Sequence, residues 1–127
     1  MKLDMIHHIA IITTDYEASR RFYVDILGFE IIAEHKRAEQ NDAKLDLKIN
    51  ETTQLEIFVK STSPARLSYP EAAGLRHLAF KTNNIEENIN YLKEHDIKVE
   101  GLRTDDFTGE KMVFFYDPDN LPIELHE

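Results

Sequence analysis

The hydrophobic pattern of the chain switches between a period of two and a period near four, and it does so twice. Residues 5–13 (MIHHIAIIT) place Ile9 and Ile11 on one side of an extended segment and His8, Ala10 and Ile12 on the other, which predicts a strand. Asp15 then suits an N-cap, with Glu17 in the first turn of a helix whose stripe includes Ala18, Phe22 and Ile26. That helix is expected to reach about Leu27 and to end at Gly28 in the C′ position. FEIIAEH reads as a second strand. KLDLKIN alternates strictly, with Leu45, Leu47 and Ile49 opposite Lys44, Asp46 and Lys48, so its sheet should bury one face. Glu51-Thr52 is a turn and QLEIFVK a fourth strand.

The same order then returns. GLRHLAFKT is a strand, and Asn84 is placed to cap a helix IEENINYLKEH carrying Ile85, Ile89 and Leu92. IKVEGL, EKMVFFY and LPIELHE are three further strands, the last two joined by a turn at Asp117-Pro118-Asp119-Asn120. His95 falls at the end of the second helix, where a donor suits the terminal carbonyls. Each half therefore reads strand–helix–three strands. Ala10 aligns with Ala79, Thr13 with Thr82, Asp15 with Asn84, and Phe22 with Tyr91.

This predicts an α+β chain of two modules, at about 1–60 and 74–127, with a connector at about 61–73. A length of 127 residues suits one domain. Each half alone would leave an apolar sheet face and an edge bare, so the halves are expected to pair.

Composition narrows the function. Twenty-four acidic against 15 basic side chains give a net charge of −9, which disfavours nucleic-acid backbones and anionic membranes. Without cysteine there is no disulfide, thiolate ligand or thiol nucleophile. The apolar run in MKLDMIHHIAII is too short for a signal peptide, so a cytoplasmic location is expected, with small molecules or proteins as partners.

The chemistry lies in a repeated pair. A histidine heads the first strand of each half, and a glutamate follows at matching distance, from position 8 to 56 and from 77 to 124. Strand alternation puts His8, Glu56, His77 and Glu124 each on the face opposite the helix-packing residues. If the sheets curl, two imidazoles and two carboxylates line the inside. Such a set suits a divalent first-row ion with two positions left for substrate oxygens. The ion would act as a Lewis acid, with a carboxylate as general base. A single strand histidine is ordinarily a packed or solvated group; repetition at one offset and on one face is what favours a metal. His126 shares the face of Glu124 and suits an outer partner of the site. His7 points to the helix side and reads as structural, while His35 and His95 read as surface residues.

These residues resemble the vicinal oxygen chelate superfamily, which includes glyoxalase I, fosfomycin-resistance proteins, extradiol dioxygenases, methylmalonyl-CoA epimerase and metal-free bleomycin-binding proteins. HHIAIITTDYEASRRFYVDILGFEI resembles its opening strand–helix–strand, GLRHLAFKTNNIEENINYLKEH its second-half opening, and FFYDPDNLPIELHE its closing hairpin. The resemblance implies two βαβββ modules paired into a cup-shaped curved sheet with helices outside. It implies His8, Glu56, His77 and Glu124 as metal ligands, a set most similar to metal-dependent glyoxalase I. Nickel or zinc is then the expected ion, with cobalt, manganese or iron as alternatives.

The implied activity is that of a lyase or isomerase acting on a substrate chelated through two oxygens, such as the thiol hemithioacetal of an α-ketoaldehyde. Glu56 or Glu124 would move the proton α to the carbonyl. Arg37, Arg76 and Lys111 are the candidates for contacting an anionic substrate, and Phe58 and Phe114 for walling its pocket; each also suits an ordinary surface or core role. A drug-sequestering protein without catalysis, an epimerase and a dioxygenase remain as alternatives. A homodimer is expected, because module edges are covered that way.

Overall fold

A computed structural model describes all 127 residues, which divide into two compact units, Met1–Pro64 and Ala65–Glu127. The division falls inside the expected connector. Both units are α+β with one plan, a strand, a helix and three strands.

In the first unit β1 (His8–Thr13) leads into α1 (Tyr16–Arg20), which continues as a wider π-helical turn over Arg21–Ile26. Asp15 caps α1 as its side chain predicts, accepting from the Ala18 amide at 2.8 Å. The widened turn is marked by the Leu27 amide donating to the Phe22 carbonyl at 2.9 Å. It carries the adjacent aromatics Phe22 and Tyr23, both buried and in edge contact. Gly28 ends the helix at φ +79°, a conformation that spares a residue without Cβ. Asp15→Ala is expected to cost about 1 kcal/mol. Asn84→Ala should cost less, because Asn84 occupies the cap position of the second helix without capping it through its side chain. Urea midpoints of the two variants compare them directly.

β2 (Glu30–Arg37), β3 (Asp42–Lys48) and β4 (Gln54–Lys60) complete the first sheet in the order β1-β4-β3-β2. β1 and β4 run parallel and the other neighbours antiparallel. Leu45, Leu47, Leu55 and Ile57 are fully buried, as their alternation requires. The β3–β4 turn is built on Asn50, whose side chain accepts from the Thr52 and Thr53 amides.

The second unit repeats the scheme with β5 (Leu78–Lys81), α2 (Ile85–Glu94), β6 (Arg103–Thr104), β7 (Lys111–Tyr116) and β8 (Pro122–His126). Its order is β5-β8-β7-β6, with β5 and β8 parallel. Ile85 and Ile89 of α2 pack on Val113. His95 closes α2, with its Nδ1 2.8 Å from the Tyr91 carbonyl. The expected strand IKVEGL does not form: only Val99 bridges Phe115, and the edge strand is displaced to Arg103–Thr104. The cause is the Asp105 turn, where one carboxylate accepts from the Phe107 and Thr108 amides and so sets which residues face β7. The β7–β8 turn rests likewise on Asp117, which accepts from Asp119 and Leu121.

Candidate metal centre

Parallel pairing at the start of each unit assembles one His–Glu pair per unit. Ala10 lies directly opposite Glu56 in β1–β4, and Ala79 directly opposite Glu124 in β5–β8. Each histidine stands two residues before its alanine, so both pairs have the same diagonal relation. The small alanine leaves the space across which the imidazole reaches the carboxylate.

His8 Nε2 is 3.7 Å from Glu56 Oε2, and His77 Nε2 is 3.0 Å from Glu124 Oε2. Adjacent donors around one ion, each about 2.0–2.2 Å away, lie about 3.0 Å apart at a right angle and about 3.4 Å apart in a tetrahedron. The His77–Glu124 pair falls in that range and the His8–Glu56 pair lies wider than it, and imidazole with carboxylate is a fitting donor set for a first-row divalent ion. Each unit presents one His–Glu pair, and no three His, Asp or Glu side chains are grouped to hold an ion.

The half-sites differ in what surrounds them. Opposite Glu56 across β3–β4 stands Asp46, and Lys44 Nζ lies between them, 3.1 Å from Asp46 and 3.3 Å from Glu56. The Asp46 hydrogen bond first, then that of Glu56, raises the Lys44 pKa against some desolvation, so the amine stays charged. Opposite Glu124 stands Phe114, whose ring meets His77 edge-on at 5.1 Å. Arg103 lies over the same ring at 5.5 Å. Glu124 is a buried carboxylate, 6% exposed, with His126 Nε2 3.9 Å from its other oxygen. His126 therefore reaches Glu124 as its face predicts. Tyr116, further along β7, donates to Glu100; that bond, with desolvation, pushes its pKa up to about 12 and keeps it a neutral donor.

Lys44, Asp46 and Tyr116 did not stand out in the sequence. Their strand alternation marked them only as facing away from the core, the face that Glu56 and Glu124 also occupy. The other expected site residues scatter among ion pairs. Arg37 grips Asp42 with two nitrogens, at 2.8 and 2.5 Å. Arg76 holds Glu71 at 2.8 Å, and Lys111 pairs with Glu86. Phe58 lies beneath Lys44, whose Nζ is 5.4 Å from its ring. His7 is exposed, with its Nδ1 2.9 Å from that of His8, and not turned to the helix side as expected; it precedes the first paired residue of β1 and is free of strand alternation.

Comparison with known proteins follows the same lines. The family model "Glyoxalase/Bleomycin resistance protein/Dioxygenase superfamily" matches residues 5–125. A glyoxalase family protein from Enterococcus faecalis superposes with a TM-score of 0.92 at 57% identity, covering 100% of both chains. The uncharacterized protein YwkD of Bacillus subtilis is 49% identical over 100% of this chain and 99% of its own length. Metallothiol transferase FosB of Staphylococcus haemolyticus is 30% identical over 95% of this chain and 81% of its own. No helix is long and apolar enough to cross a membrane.

Proposed function

Since this chain belongs to the glyoxalase/bleomycin resistance protein/dioxygenase superfamily, we propose that His8, Glu56, His77 and Glu124 together hold one divalent ion in a glyoxalase I-like lyase. The observation that carries this reading is the repetition of one His–Glu geometry in the same register of two sheets. The two half-sites complete one set either within a chain or between the two chains of a homodimer. A bound ion of this kind supplies Lewis-acid polarisation of two vicinal substrate oxygens.

The residues divide the remaining work. Lys44, 3.3 Å from Glu56, directs its carboxylate, so Glu56 serves chiefly as ligand. Glu124 is buried, with the imidazoles of His77 and His126 as its ion-pair neighbours, which suits a carboxylate that takes the proton α to the carbonyl and returns it to the neighbouring carbon. Phe114 shields that transfer from water beside His77. A second reading, metal-assisted addition of a thiol to a small electrophile, draws on the relative named metallothiol transferase FosB.

Chelation with EDTA is expected to abolish isomerisation of methylglyoxal–thiol adducts, and nickel or zinc to restore it. Elemental analysis of the native protein accompanies the assay. Thiol consumption without isomerisation would select the transferase reading, and a metal-free protein that only binds adducts would sink both.

A further inference from the structure

The face of the first sheet that bears Glu56 continues beyond it into a concavity. His35, Lys44 and Phe58 stand directly across from one another on β2, β3 and β4, and Arg37, Asp42 and Lys60 form the next row. These six line a hollow of about 230 Å³. Of its three permanent cations Arg37 is engaged by Asp42 and Lys44 by Asp46 and Glu56, which leaves Lys60 as the unpaired charge, in a chain of net charge −9. The single carboxylate is already satisfied, since both Asp42 oxygens are taken by Arg37. Lys60 and His35 enter no ion pair or side-chain hydrogen bond.

We infer that this hollow is a subsite for an oxyanion, a carboxylate or phosphate, carried on the far end of the substrate. The inference rests on the metal reading for what is held at Glu56. Strand rise puts Phe58 about 7 Å and Lys60 about 13 Å beyond Glu56 along β4. The substrate is therefore elongated, with its chelating oxygens at the His–Glu pairs and its charge over Phe58. Lys60 supplies a charge that can move to the ligand, and His35 a ring nitrogen. The Phe58 ring is an apolar floor, so the linking segment carries carbon rather than further charge. Arg37 and Lys44 act by position: locked onto Asp42, and onto Asp46 and Glu56, they cancel the charges that would repel the anion.

The test uses the full-length protein and inorganic phosphate at constant ionic strength, followed through backbone amide NMR shifts. Shifts are expected to saturate and to concentrate at residues 35, 37, 44, 58 and 60. Lys60→Gln should weaken phosphate binding about tenfold. Acetate titrated in parallel shows which oxyanion the hollow prefers. Shifts dispersed over the surface, or an unchanged affinity in Lys60→Gln, overturn the subsite. Nickel binding, measured separately by calorimetry, should be equal in both proteins. Its failure would count against the metal centre while leaving the phosphate result to decide the hollow on its own.

Discussion

Glu124→Gln is expected to lower turnover of a thiol–ketoaldehyde adduct by roughly 10²–10⁴-fold with the fold retained, the range general acid–base catalysis contributes. The amide keeps the volume of the carboxylate in a position only 6% exposed, and it still offers an oxygen toward His77. What it loses is the capacity to accept a proton. Glu56→Gln should act differently: it removes a charge that Lys44 and Asp46 are arranged around, so its first effect is weaker metal retention. Steady-state kinetics with saturating metal, beside metal content and thermal melting, separates the two. A fall of less than tenfold in kcat for Glu124→Gln would remove it as the base.

Phe115→Ala should cost about 3–5 kcal/mol, the usual range for truncating a buried aromatic. Phe115 is 1% exposed on β7, faces Ile123 across β8 and bridges Val99. Phe107, at the tip of the Asp105 turn, is 99% exposed. Phe107→Ala should stay within about 0.5 kcal/mol. Urea unfolding of the two variants, followed through the second unit, tests the contrast.

Much of this protein is legible from local pattern. Alternation over KLDLKIN and QLEIFVK placed Leu45, Leu47, Leu55 and Ile57 in the core and Glu56 on the opposite face, and the structure agrees. Asp15 and Gly28 marked the ends of the first helix because their chemistry is local to one turn. The paired histidines and glutamates were visible for the same reason: a strand's period of two assigns each side chain a face without reference to any partner.

Partners are another matter. IKVEGL alternates as well as its neighbours, yet only Val99 pairs, since the Asp105 turn chose Arg103–Thr104 to meet β7. Asn84 has the right chemistry for a cap, but Thr82 accepts from its amide and from the Asn88 side chain instead. Lys44, Asp46 and Glu56 became one charged group, and His35, Lys44 and Phe58 one row, only through the registers of β2, β3 and β4. Face follows from neighbours along the chain. Which residues stand across from one another follows from strand register, and that depends on turns and on burial across the whole sheet, where a slip of one position would exchange every contact.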